Sequence, residues 1–272
     1  MNNDVSIIIQ GPLNKISLGN INNYLKYGKV IISCYENDDL TLIKEEVLNN
    51  KNVEIVKNKN IDISQNIFNQ SNIFFQAYTC YNGAIKSNSK FTIKFRSDAY
   101  YSNLDKLMYN IKNYPDRIHS LNSFFLRDSY EKFHPSDHMF ASKTDFFIKA
   151  MDFAYHICYK ENRSKYDILE NEIHKPNGAK YLVYNKNNIN FPIKNEIQFC
   201  FGFLIAKGIE INPKNSYEIM YSNYCVTMLD DFVDYSWQSS AHPGPNKIDI
   251  FKNHKDIVNH INNIKYGNSQ NK

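Results

Sequence analysis

Short apolar runs alternate with amphipathic stretches over the first hundred residues. Asp4 to Gln10 (DVSIIIQ) is continuously apolar, as strands buried on both faces are, and it releases Gln10-Gly11-Pro12 at its end. Asn14 to Tyr27 places Ile16, Leu18, Ile21, Tyr24 and Leu25 on one side of a helix. A second buried strand, Val30 to Ser33, releases Cys34-Tyr35-Glu36-Asn37. Leu40 to Leu48 reads as a short amphipathic helix and Val53 to Val56 as a third strand. Strand–helix–strand–helix–strand is the opening of a Rossmann-like half domain. Gly11 alone is not a G-x-G-x-x-G fingerprint, so a dinucleotide cofactor is not indicated.

The chain is organised around Lys90 to Tyr101 (KFTIKFRSDAYY). Phe91, Ile93 and Phe95 alternate with Thr92 and Lys94 as in a strand, and apolarity stops at Arg96-Ser97-Asp98. Ligands of open α/β sheets gather beyond the carboxyl ends of strands. Gln10, Tyr35-Glu36 and Arg96-Asp98 stand at three such ends, enough to frame a nucleotide cleft. A carboxylate there can hold Mg²⁺ or Mn²⁺ against a diphosphate, since these ions accept one or two carboxylates plus phosphate oxygens. The competing reading is a local Arg96–Asp98 ion pair.

Asn66 to Lys86 is expected to form a long helix carrying Asn72, Gln76, Thr79, Cys80 and Gly83 on one face. That face either approaches a ligand or packs through Gly83. Asn103 to Asn113 is a further amphipathic helix and Arg117 to Leu126 includes a strand. The cluster His134-Pro135-Ser136-Asp137-His138 feeds another strand, and Lys143 to Tyr159 a helix. His134 and His138 flank Pro135 and lack the helical register of a zinc pair. Asn162 to Lys180 reads as a polar loop with a helical piece around Tyr166 to Ile173. Lys194 to Lys207 is a helix closed by Gly208, with Glu196 in its first turn, where the helix dipole favours a carboxylate. Tyr217 to Val226 is strand-like, the stretch from Trp237 to Pro245, which includes His242, irregular, and Lys252 to Ile264 a terminal helix.

Composition narrows the partners. A formal charge of +4 over 272 residues is mild and spread out, which disfavours a nucleic-acid surface and leaves anionic lipid or a phosphorylated substrate open. Five scattered cysteines without C-x-x-C spacing argue against a disulfide framework and a zinc site. The amino-terminal strand lacks the features of a signal peptide. No apolar run approaches the ~18 residues that span a bilayer. The expectation is a soluble cytoplasmic protein, with peripheral attachment to an inner membrane left open.

In order, VSIIIQGP, NIFFQAYTCYNGA, KFTIKFRSD and HPSDHMFASKTDFF resemble the WavE lipopolysaccharide-synthesis family over roughly the first 150 residues, with a weaker echo at Asn195-Glu196-Ile197-Gln198. The helix pattern of that family is similar to N-x-N-R-Q-x-x-S-T-x-x-G. Asn72, Gln76 and Gly83 match it, Thr79 replaces the Ser, and Phe74-Phe75 replace Asn-Arg. Its SDW segment becomes Ser136-Asp137-His138. The first position of the Asp-x-Asp motif common in GT-A enzymes is Arg96, so only Asp98 survives.

The resemblance implies an α/β, GT-A-like mixed sheet flanked by helices, forming one domain over 1–272. Its nucleotide-sugar half would span 1–115, its acceptor half 116–250 and a terminal helix and tail 251–272. The implied activity is transfer of a sugar from a nucleotide-diphosphate donor to an oligosaccharide or glycolipid of a surface glycan, with Mn²⁺ or Mg²⁺. Asp98 is expected to hold the metal, with His242 as a second ligand. Gln10, Gly11, Pro12, Tyr35, Glu36, Gln76, Arg96 and Ser97 would bind the donor, and Glu196 or Asp137 would act as base, Glu196 preferred. The rival readings are a sugar-phosphate nucleotidyltransferase, for which the first loop is poor in Gly and Lys/Arg, and a non-catalytic glycan-binding or scaffold protein on the same fold.

Overall fold

The computed structural model describes residues 4–61, 73–121, 133, 135–157, 168–169, 181–184, 189–192, 195–227, 229–232 and 235–237. Strand β1 (Val5–Gln10) is buried along its whole length, as its apolar run requires. It leads through α1 (Lys15–Leu18) and α2 (Ile21–Tyr24) into β2 (Lys29–Tyr35). A 3₁₀ turn at Leu40–Leu42 and α3 (Glu45–Leu48) connect to β3 (Val53–Asn58). Helix α4 (Ile73–Ala84) precedes β4 (Phe91–Arg96), which turns into β5 (Ala99–Tyr101) and α5 (Asp105–Asn113). Then follow β6 (Ile118–Leu121), β7 (Met139–Lys143) and α6 (Thr144–His156). Strands β8 (Ile168–Leu169), β9 (Tyr181–Tyr184) and β10 (Ile189–Pro192) form a small antiparallel sheet. Helix α7 (Asn195–Ala206), helix α8 (Ser216–Asn223), β11 (Tyr224–Thr227) and β12 (Tyr235–Trp237) complete the described chain.

The main sheet has seven strands in the order β11-β6-β7-β4-β1-β2-β3. β1 lies between β2 and β4, parallel to both, and β3 extends the parallel half beyond β2. Direction reverses at β7, antiparallel to β4 and to β6, and β11 returns parallel to β6. This is a mixed α/β sheet with a hydrophobic core on each face. On one face Ile8 and Ile31 pack under α4, α6 and α7. On the other, Ile7, Ile9, Ile32, Ile93 and Phe95 pack against α2 and α5. The sequence-based division at residue 115 falls inside this continuous sheet, because β4 pairs with β7.

Several expectations are corrected. The helix expected over Asn14 to Tyr27 is two short ones, broken at Gly19 and Asn20. Where a helical piece was expected near Tyr166 to Ile173, Ile168–Leu169 is a strand paired with β9. Tyr217 to Asn223 is helical, not extended. Asn212 caps a 3₁₀ turn by accepting from the Lys214 amide at 3.0 Å, which launches α8 and buries Ser216 and Met220 one turn apart. Tyr235–Trp237 pairs with β5 as β12, and the irregular stretch expected beyond Trp237 lies outside the described residues. The expected terminal helix at Lys252 to Ile264 lies outside the described residues.

The shared polar face of α4 packs on the sheet. Cys80 and Thr79 are buried there, and among the described members of the expected set Gln76 lines the cleft described below, while Asn72 lies outside the described residues. At Gly83 a Cβ would stand 2.9 Å from Ile8 Cγ2 and 3.2 Å from Ser33 Cβ. Overpacking of this kind costs about 1–3 kcal/mol, against up to about 1 kcal/mol from better helix propensity. Gly83→Ala is therefore expected to lower stability by about 1 kcal/mol in urea unfolding and to leave ligand affinity unchanged. Unchanged stability would mean that α4 can back away from β1 and β2.

Candidate active site

The carboxyl ends of β1, β2 and β4 open into a cleft of about 510 Å³. Its walls include Gln10, Gly11, Pro12, Leu13 and Asn14 after β1, Tyr35 after β2, and Arg96, Ser97 and Asp98 after β4. Asn60 and the α4 residues Phe75 and Gln76 close the remaining side. Gly11 has φ +112, and a Cβ there would meet Ser97 Oγ at 3.0 Å, so the loop passes β4 only without a side chain. The Ser97 amide donates to the Gln10 carbonyl at 2.8 Å, joining the two loops. Asp38 Oδ2 accepts from the Tyr35 amide at 2.8 Å and the Leu13 amide at 3.2 Å, joining the ends of β1 and β2. Phe75 meets Tyr35 edge-on, with ring centroids 6.3 Å apart at 79°, and gives the cleft an aromatic wall.

One face of β4 is polar along its whole length. Thr92, Lys94 and Arg96 recur every second residue and so share the face under α4. Thr92 bonds Thr144 and Ser87. Lys94 is fully buried; its ammonium donates to the Asp137 carbonyl and, at 3.3 Å, to Gln76 Oε1, among the rings of Phe140 and Phe199. Gln76 Nε2 donates onward to Asp137 Oδ2 at 3.2 Å. Arg96 reaches the cleft and forks onto Asp98, Nε to Oδ1 at 2.8 Å and Nη2 to Oδ2 at 2.7 Å. Its Nη1 stands 3.6 Å from Asp137 Oδ2. Arg96 therefore lies between two carboxylates.

Burial shapes the protonation of this group. It lowers the Lys94 pKa, against the pull of Cys80 and Asp137. For Arg96 burial acts downward, but the Asp98 hydrogen bond and the Asp137 and Asp98 charges outweigh it and raise the pKa. Burial alone would raise Asp137; the charges of His138, Arg96 and Lys94, with the Gln76 bond, hold it below the ordinary carboxylate range. A carboxyl so held is a weak proton acceptor. Burial brings His138 down to about 4 in spite of Asp137, and His119 likewise to about 4.

The cleft brings together Gln10, Gly11, Pro12, Tyr35, Gln76, Arg96, Ser97 and Asp98, with Asp137 buried behind Gln76 and Arg96. Glu36 is exposed and outside the lining, because β2 ends at Tyr35 and the next residue turns away. Glu196 stands in the first turn of α7, and its side chain lies outside the described residues. His242 and His134 also lie outside them. The sequence reading missed Leu13, Asn14 and Asn60, and it met Phe75 only as a departure from a pattern. It also missed Lys94, whose signal was a charge at an inward position of a buried strand, and Asp38.

The oxygens available suit a hard divalent cation. Asp98 is the carboxylate of the cleft wall, and a carboxylate offers about four lone-pair positions, of which Arg96 takes one on each oxygen. Gln10 Oε1 is buried without a partner at the same wall. Among the described residues no cluster of three or more His, Cys, Asp or Glu forms a cage, so such an ion would draw its remaining ligands from phosphate and water.

No family model matches the chain, and no curated protein matches it. Solved structures of similar shape include HddC from Yersinia pseudotuberculosis, 12% identical, covering 53% of this chain and 78% of its own, with TM-score 0.33. S. aureus TarS 1–349 is 12% identical, with coverage of 55% and 49% and TM-score 0.36. The galactosyltransferase LgtC, solved with donor and acceptor sugar analogues, is 8% identical over 95% of each chain, with TM-score 0.47. Likenesses at these scores say nothing about which residues act, and the chemistry of the cleft rests on its own side chains.

The two buried histidines predict an acid limb of stability. Their folded pKa of about 4 lies below the ordinary 6.5. Between those values the unfolded chain binds more protons, so stability rises with pH and is lost as pH falls from 6.5 toward 4. Each histidine contributes up to about 1.4 kcal/mol per pH unit in that window. Urea midpoints measured from pH 7.5 to 4.5 should show the fall, and His119→Gln should make it shallower.

Proposed function

We propose that this protein is a metal-dependent glycosyltransferase, moving a sugar from a nucleotide-diphosphate donor to an oligosaccharide or glycolipid acceptor of a surface glycan, of lipopolysaccharide or capsule type. One observation carries the reading: the ends of β1, β2 and β4 converge on a cleft that combines a glycine loop, an aromatic wall and an Arg96–Asp98 pair. The order of motifs shared with the WavE family and the mixed sheet agree with it. In this reading the protein works in the cytoplasm, at or near an inner membrane. Among the described residues no helix is long and apolar enough to cross one.

Tyr35 and Phe75 offer a ring face and edge to the nucleobase, with Gln10 below them. Asp98 holds Mn²⁺ or Mg²⁺, with His242 as a proposed second ligand. When bound, that ion neutralises charge developing on the departing diphosphate. Arg96 adds a guanidinium at the same place, suited to phosphate by its fork of donors. Glu196, at the start of α7, takes the acceptor hydroxyl proton if the reaction inverts. Asp137, held anionic behind Arg96, anchors that cation in preference to acting as base.

Thermal-shift screening of UDP-, GDP-, CMP- and dTDP-sugars with and without Mn²⁺ tests the reading, because a true donor stabilises increasingly, as the logarithm of its concentration once above its Kd. Stabilisation by none of them would overturn it. With the donor in hand, Asp98→Asn should abolish Mn²⁺-dependent donor binding while the ligand-free melting temperature barely moves. Glu196→Gln should lower kcat by about 10²–10⁴-fold with donor affinity preserved. Near-normal turnover would remove Glu196 from the mechanism.

A further inference from the structure

We propose that Arg96 is a resident counter-ion with two seats, Asp98 and Asp137, and that a divalent cation takes the Asp98 seat by displacing Arg96 toward Asp137. The inference rests on the reading of the cleft as a nucleotide-sugar site and concerns how that site exchanges cations. In the cleft both oxygens of Asp98 accept from Arg96, at 2.8 and 2.7 Å. A dication entering there meets a guanidinium already in place, whose charge repels it. Arg96 has to move before the metal gains the full field of the carboxylate.

The second seat is built. Asp137 Oδ2 lies 3.6 Å from Arg96 Nη1, close enough to become the principal partner after a small rotation. Asp137 itself is fixed, since Gln76 donates to the same oxygen and Lys94 holds both the Asp137 carbonyl and Gln76 Oε1. The side chain of Arg96 is about a quarter exposed, at 26%, and so has room on the cleft side.

An independent observation points to the arriving cation. Gln10 is the β-ladder partner of Arg96 across β1 and β4, and the residue is 5% exposed at the cleft wall. Its carbonyl oxygen Oε1 is buried with no donor. A buried amide oxygen without a partner is costly, and a hard cation completes it. With Lys94 protonated, Lys94 and Arg96 already match Asp98 and Asp137 in charge. A diphosphate therefore enters more favourably together with a metal, and Arg96, once released from Asp98, is free to donate to its oxygens.

The test is Mn²⁺ binding, read from the EPR signal of free Mn²⁺ with no nucleotide or sugar present. Arg96→Gln should bind Mn²⁺ at least tenfold more tightly than the unaltered protein, and adding Asp98→Asn to it should abolish the gain. Equal or weaker binding by Arg96→Gln, or a gain that survives Asp98→Asn, would overturn the proposal. If Arg96→Gln fails to fold by near-ultraviolet circular dichroism, Arg96→Lys serves instead. Its point charge cannot fork onto Asp98, so it should also bind Mn²⁺ more tightly, and unchanged affinity would count against the idea. Because this measurement uses metal alone, the cation exchange stands or falls separately from the glycosyltransferase reading. A nucleotide-sugar screen that fails while Arg96→Gln gains Mn²⁺ affinity overturns only the latter.

Discussion

An ammonium removed from water must be matched where it stands, and Lys94 sits at the middle of the central sheet, fully buried. Its needs arrange the neighbourhood. Gln76 of α4 turns its carbonyl oxygen to Lys94 and its amide nitrogen to Asp137, so the orientation of that side chain is decided from below. Asp137, brought in just before β7, supplies a main-chain oxygen to Lys94 and its carboxylate to Gln76 and Arg96. The helix on one face, the antiparallel neighbour and the cleft floor are thus tied to a single charge. A salt bridge on the surface could not do this, because water would match each group separately.

The parallel half of the fold was legible because its strands are nearly pure. DVSIIIQ and VIIS carry aliphatic residues on both faces and FTIKF aromatic and aliphatic residues on one, and in the structure the three strands end at Gln10, Tyr35 (two residues past the expected Ser33) and Arg96. The cleft was legible for the same reason, since chemistry gathers where such runs stop. What escaped depends on neighbours distant in sequence. Tyr217 to Asn223 has the aromatic and β-branched content of a strand, yet Asn212 caps the turn that starts a helix there. β12 exists only because β5 lies beside it. Asp38 looks like loop polarity until its oxygen is found bonding two backbone amides from different loops. Glu36 shares that loop polarity but lies outside the cleft lining.

The departure at Phe74-Phe75 has two separate physical meanings. Phe74 is buried in the core on the α4 face of the sheet, stacked with Tyr78 and tilted against Tyr155, and belongs to packing. Phe75 is partly exposed beside Tyr35 and belongs to the cleft.

The separation between Lys94 and its carbonyl partner has a consequence for the order in which the chain matures on the ribosome. Asp137 follows Lys94 by 43 residues. When β1 to β4 have emerged, the central strand holds a cation whose main oxygen partner has not yet been made. A nascent half sheet can close over an ammonium only by leaving it wet or shedding its proton. The first hundred residues, although they contain most of the cleft, are therefore not a self-sufficient folding unit. The arrival of β7 both extends the sheet and allows its interior to dry.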